Sequence, residues 1–304
     1  MSWVFSSRLE EFEWAAGPFL RADPARNTVL LGVLAELAAS GGQVYGVRRP
    51  YFGWWAPAGA VTAACLRTPP HNLLVSGLDR PAAIALAAAL RSEPRAAGVD
   101  ARARIGEAGD LDERIVDDLP GVTGRDDQAE AFAQAWLGTS GAQWRVWRRL
   151  RLYRLGQLVP PSPWPPGAAR VAAPADRGLA AAWYRAFAEE VGDHPAPDAV
   201  IEGKLAEGRL VLWELADGTP VSMAGRNRII AGAARVGPVY TPADHRGRGY
   251  GGAVTAAVTR AALDHGAGEI VLFTDQANPV SNSIYQRLGY QPVEDQISLD
   301  FRAG

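Results

Sequence analysis

The stretch Val236-Gly-Pro-Val-Tyr-Thr-Pro-Ala-Asp-His-Arg-Gly-Arg-Gly-Tyr-Gly-Gly252 restricts what this chain can become more than any other. It predicts a strand, a short turn, a glycine-rich loop carrying Arg246 and Arg248, and a helix opening at about Tyr250. Backbone N–H groups freed by glycines, aimed from a helix N-terminus and flanked by two guanidiniums, suit a pyrophosphate. Gly247, Gly249 and Gly252 also fit G-x-G-x-x-G, the dinucleotide fingerprint. That fingerprint places its first glycine directly after a strand and opens a domain of several further βα units. Here Thr241–His245 intervene and only about fifty residues remain, although Asp275 ends a strand where a ribose-binding acid would sit. No Gly-Lys-Ser/Thr follows the loop, which rules out the nucleoside-triphosphate P-loop.

Around this stretch the chain divides in two. Pro160-Pro-Ser-Pro-Trp-Pro-Pro-Gly167 removes donors and favours extended geometry, so a linker is expected at 160–168 between domains at 1–159 and 169–304. The 304 residues suffice for two domains of ordinary size. In the second half, apolar spacing and turn residues predict the order β-α-α-β-β-β-α-β-α-β. In the first half, helices are expected within 1–40, at 80–92 and at 126–137, with strands at 43–49, 60–67, 72–77 and 144–158. The passage from residue 93 to Gly124 has no clear pattern. Trp55-x-x-Ala-Gly-x-Val61 and Trp213-x-x-Ala-Asp-Gly-x-x-Val221 share punctuation, which suggests a duplicated fold whose first copy, at Val75–Pro81, has no glycine loop. The aromatic cluster Tyr51–Trp55 is expected at the junction of the two domains.

A second motif follows the loop by one strand: Asn278-Pro-Val-Ser-Asn-Ser-Ile-Tyr-Gln-Arg-Leu-Gly-Tyr290. With Arg246-x-x-Gly249-x-Gly251, it resembles motifs A and B of the GNAT acetyltransferase superfamily over roughly residues 168–304. It is similar in particular to two-domain members whose N-terminal half is a degenerate copy of the same fold. The resemblance implies an α/β fold with mixed sheets, as tandem acyl-CoA N-acyltransferase domains. It implies acetyl-CoA as cosubstrate, bound by Val239 and Tyr240 on the strand, by Arg246, Gly247, Arg248, Gly249, Tyr250, Gly251 and Gly252 in the loop, and by Asn278, Ser281 and Asn282 beyond it. Tyr285 matches the family's general acid, and a phenol, with a reference pKa of about 10, holds its proton at neutral pH.

The acceptor side is less defined. An ammonium has no lone pair, so a primary amine must lose a proton before it attacks, yet residues 231–241 contain no carboxylate. Glu189, Glu190, Asp193 and His194, between the first two helices of the second half, are the candidate base and acceptor contacts, or else a solvated helix end. A small-molecule amine or amino acid is the expected acceptor; the alternative is a non-catalytic acyl-CoA-binding or regulatory protein. Four histidines without ligand spacing and a single cysteine, Cys65, predict no metal and no disulfide. Net charge is −2 with a pI near 6.1, against a nucleic-acid partner, and the arginines of 145–154 read as one face of a strand. Nothing near the N-terminus resembles a signal peptide and no apolar run reaches bilayer length, so a cytoplasmic monomer or homodimer without a membrane partner is expected. One lysine, Lys204, stands among 31 basic residues.

Overall fold

The computed structural model describes residues 2–41, 44–91, 119–138 and 143–302. In chain order the elements are β1 (Val4–Ser6), α1 (Leu9–Ala22), α2 (Thr28–Ser40), β2 (Tyr51–Trp55), β3 (Ala63–Arg67), β4 (Leu73–Ser76) and α3 (Arg80–Arg91). Then come β5 (Gly121–Arg125), α4 (Asp126–Leu137), β6 (Gln143–Leu155), β7 (Ala168–Val171), α5 (Arg177–Val191) and α6 (Asp198–Ala206). The remainder is β8 (Leu210–Glu214), β9 (Pro220–Arg226), β10 (Ala233–Tyr240), α7 (Tyr250–Asp264), β11 (Glu269–Asp275), α8 (Pro279–Arg287) and β12 (Tyr290–Arg302). They form two compact units, each assembled from separate stretches of sequence. The first gathers Met1–Asp23, Gly41–Leu150 and Asp295–Gly304; the second gathers Pro24–Ser40 and Arg151–Glu294.

In the first unit β1, β2, β3 and β4 pair antiparallel in that order, β5 joins β4 parallel, and Gln296–Asp300 of β12 closes on β5 antiparallel. The crossover between the parallel strands is α3, whose Ala82, Ala83, Leu86, Ala87 and Leu90 form one buried stripe at helical spacing. Phe132 and Trp136 of α4 stack, as their spacing implies. Tyr51 and Trp55 correct the expectation of a junction: they pack with Trp3, Cys65 and Val75 inside this unit's own core. Cys65 is fully buried, and burial pushes its thiol up, out of reach of thiolate chemistry. Residues 44–49 are irregular where a strand is expected. Glycines with positive φ at 41 and 46 and the proline at 50 break an extended run there. Residue 43 and the unpatterned 92–118 lie outside the described residues. The strand β1 is three residues long, too short for periodicity to reveal.

The second unit repeats that order. β7, β8, β9 and β10 pair antiparallel and β11 joins β10 parallel through the crossover helix α7. β6 is the next neighbour of β11. In both halves of the sequence a first strand is followed by two helices, an antiparallel hairpin, a parallel pair and a further helix, the pattern a duplication requires, although α2 of the first half belongs to the second unit. Small residues on α7 (Ala253, Ala256, Ala262), with Val254 and Val258, bring that helix close to the sheet in a core shared with Val211, Ala224 and Val236. The opposite face of the sheet is covered by α5 and α6 through Tyr184, Ile201 and Leu205 on Leu210, Leu212 and Met223. The proline-rich segment is held against this unit: Trp164 stacks on Trp213 at 5.6 Å, and the Trp213 indole N–H donates to the Pro166 carbonyl at 2.9 Å. No helix among the described residues is long and apolar enough to cross a membrane.

Candidate functional site

The site begins where the parallel strands part. β10 and β11 pair from Ala233↔Glu269 to Val236↔Leu272 and no further, although β10 runs on to Tyr240 and β11 to Asp275. A bulge causes this. The register of β10 on β9 shifts between Val236 and Val239, and Pro238, inside the bulge, has no N–H to give. Beyond it Val239 and Tyr240 pair with Ala224 and Met223 on one side only, which leaves their other edge open. Ser222 fixes the strand end by donating to the Tyr240 carbonyl at 3.0 Å and sharing a 2.8 Å bond with the Thr241 hydroxyl.

After one short 3-10 turn at Ala243–His245, the chain enters the glycine loop. Gly247 and Gly249 have φ of +75° and +83°, which residues with a Cβ rarely adopt. Gly249 is the N-cap of α7 and no side chain caps the helix, so its first-turn N–H groups point outward as a ready anion site. Nothing lies within 4 Å of where a Cβ on Gly247 would sit, and a Cβ on Gly252 would make only an ordinary contact with Ile284 of α8 at 3.6 Å. Arg246, Gly247, Arg248 and Gly249 are exposed, while Tyr250 is buried in the core. Arg248 makes no ion pair among the described residues. Arg246 does: its guanidinium donates to the Thr241 carbonyl at 2.9 Å and grips both oxygens of Glu190 at 2.5 and 2.7 Å. A phosphate fits this loop by charge, by open space and by donor direction.

Tyr285 lies on α8, buried, in the same core cluster as Tyr250 and edge-on to Tyr290, with ring centroids 6.2 Å apart. Thr259 shares a 2.6 Å hydroxyl bond with Tyr290. Burial pushes the Tyr285 phenol up to about 12, so it stays a proton donor well beyond neutral pH. Asn278 caps α8, its side-chain oxygen accepting from the Ser281 N–H at 3.0 Å. Asn282 donates to the carbonyls of Asp275 and Asn278 at 2.8 and 2.7 Å and accepts from the Tyr153 hydroxyl at 2.9 Å. The Asn282 side chain thus ties α8 to the end of β11, while that of Asn278 caps the helix. Sequence reasoning misses Tyr153, a buried residue of β6, because its role depends on a contact 129 positions away.

The acceptor-side candidates sit together at the end of α5 and are all exposed. Glu190 is committed to Arg246 and also lies against the Tyr240 phenol, which burial and then this carboxylate push up. Asp193 accepts from the His194 N–H at 2.8 Å. Glu189, one position before Glu190, forms the last turn of α5 with it.

Residues 179–290 match the family model for the acetyltransferase (GNAT) family. No curated protein matches by sequence. Among solved structures, a GCN5-related N-acetyltransferase from Sphaerobacter thermophilus superimposes with a TM-score of 0.54 at 20% identity, covering 89% of this chain and 84% of its own. A second, from Kribbella flavida, gives 0.51 at 21% identity over 80% and 88%. A tandem GNAT protein from the clavulanic acid biosynthesis pathway gives 0.56 at 13% identity over 99% and 98%. At such identities these structures speak to fold, and the fold agrees with the loop, the parted strands and the matched segment. Residues 179–290 thus carry a domain of the acetyltransferase (GNAT) family, and the mixed α/β architecture of the chain is like that of a tandem GNAT protein.

Proposed function

We propose that this chain transfers an acetyl group from acetyl-CoA to a primary amine of a small molecule or amino acid, by direct attack of the amine on the thioester. The observation that carries the proposal is the loop with two positive-φ glycines, opening onto an uncapped helix beside strands that part after Val236 and Leu272. In this proposal Gly247 to Gly252, with Arg246 and Arg248, hold the pyrophosphate. The open edge of Val239 and Tyr240 pairs with the pantetheine arm, and an N–H there stabilises the oxygen of the tetrahedral intermediate. Such donors are worth about 3–4 kcal/mol where removed. As the C–S bond breaks, Tyr285 gives its proton to the departing thiolate. Its depth in the apolar core keeps the phenol protonated at neutral pH, the form a general acid needs. Asn278, Ser281 and Asn282 set the start of α8 and hence the height of Tyr285. The test is thiol release from acetyl-CoA against a panel of amines and amino acids. Acetyl-CoA that binds without any amine releasing thiol points instead to a binding or regulatory protein.

A further inference from the structure

The chain writes nearly every cation as arginine, and its one lysine is buried under the bulge of the site strand. Lys204 comes from α6, and its Nζ donates to the Arg226 carbonyl at 2.9 Å and to the Gly237 carbonyl at 3.4 Å. These two carbonyls flank the bulge on β9 and β10. Beside them lies the Tyr184 hydroxyl, buried and without a hydrogen-bond partner among the described residues. The three groups converge: a Cβ added to Gly225 would lie 3.0 Å from the Tyr184 oxygen, 3.2 Å from the Gly237 oxygen and 3.4 Å from the lysine nitrogen. A gap kept free by glycine, lined by a buried amine and an unpartnered buried hydroxyl, is a costly arrangement unless it has a use.

We propose that Lys204 is a positioning residue for acyl transfer, holding the Gly237 carbonyl inward so that the strand beyond the bulge presents its open edge at Val239 and Tyr240. This rests on the acetyl-transfer proposal above. The charge around Lys204 explains why the position is a lysine. Arg209 at the start of the β8 hairpin, Arg226 on β9 and Arg235 on β10 face it, against Glu36 on α2, while Tyr184 on α5 is neutral. Desolvation and then those guanidiniums push the amine down to about 7. A neutral amine has two hydrogens, one for each of its two carbonyls, and brings no further charge into the cluster. An arginine could not give up its proton in this place. Protonation adds a fourth cation to the cluster of Arg209, Arg226 and Arg235, so the bulge should loosen as pH falls through neutrality.

Because the lysine is unique, protein grown on 13C-lysine gives one side-chain signal, and its Cε shift can be followed from about pH 5 to about pH 11. The expected midpoint is near 7, with a shift of the signal when acetyl-CoA is added to saturation. A midpoint at or above about 10, the free-lysine value, overturns the proposal, as does a signal indifferent to acetyl-CoA that calorimetry shows to be bound. Lys204→Met is expected to lower the turnover of thiol release by about tenfold to a hundredfold. Its acetyl-CoA dissociation constant should stay within about threefold, and the component of the acid-side fall in turnover with a midpoint near 7 should vanish, leaving only that of the acceptor amine. Wild-type turnover and an unchanged pH profile in that variant contradict the role. If wild-type protein binds no acetyl-CoA at all, the acyl-transfer proposal fails first and takes this one with it.

Discussion

Tyr285 and Glu190 are the residues at which the account can be tested most sharply. Tyr285→Phe removes a proton donor without opening a cavity. It is expected to cut thiol-release turnover by about a hundredfold or more while acetyl-CoA affinity holds, as measured by steady-state kinetics and calorimetry. With the phenol raised to about 12, turnover should not fall on the alkaline side until well past pH 10 on account of this group. The same shift has a stability consequence: its contribution is present below about pH 10, where the unfolded phenol is also protonated, and is lost as pH rises through about 12. Glu190 has a different role here. Its two oxygens occupy the Arg246 guanidinium, in a pair whose members are each nearly half exposed. A pair so exposed is worth about 0.2–1 kcal/mol. Glu190→Ala should therefore free Arg246 and tighten acetyl-CoA binding by up to about fivefold. A collapse of turnover at unchanged affinity would instead make Glu190 the base.

At the scale of elements, the second unit holds α2 by charge. Glu36 is the lone acid in an otherwise apolar helix, and it meets Arg209 at 3.6 Å and Arg228 at 3.1 Å, while Glu207 pairs with both arginines. The four side chains close into a ring that fixes α2 to the turn before β8 and the loop after β9. Glu36→Gln leaves two buried guanidinium edges short of charge and is expected to cost about 2–3 kcal/mol in urea unfolding, with the ring's loss visible as earlier proteolysis near Ser40. A midpoint unchanged from wild type would show that α2 is held by its apolar faces alone. The helices and strands of the second unit are legible in the sequence because each carries local signals: Gly289 closes α8, Ala216-Asp-Gly218 turns the β8–β9 hairpin, and the loop glycines announce their own φ. The ring is not legible, since residue 36 meets partners some 170 positions later, and no spacing rule reaches that far. Lys204 is half legible. Its uniqueness is plain in the sequence, but its contacts with Arg226 and Gly237 exist only once α6 is laid over the bulge.

Across the whole molecule, two units share one strand order but differ at one decisive place. Between β10 and α7 the second unit has a loop with positive-φ Gly247 and Gly249 and two arginines. Between β4 and α3 the first unit has only Gly77-Leu-Asp79, where the Asp79 carboxylate itself accepts the Ala82 N–H at 2.8 Å and occupies the helix terminus. An anion is thus welcome at α7 and already supplied at α3. The central claim, that the second unit alone holds acetyl-CoA through its glycine loop, is tested most directly by isothermal calorimetry of acetyl-CoA on the full chain. One site per chain is expected, weakened about tenfold to a hundredfold by Gly249→Val, which forces a branched side chain into a left-handed conformation at a cost of roughly 1–3 kcal/mol. Two sites per chain, or binding that survives Gly249→Val unchanged, would contradict it.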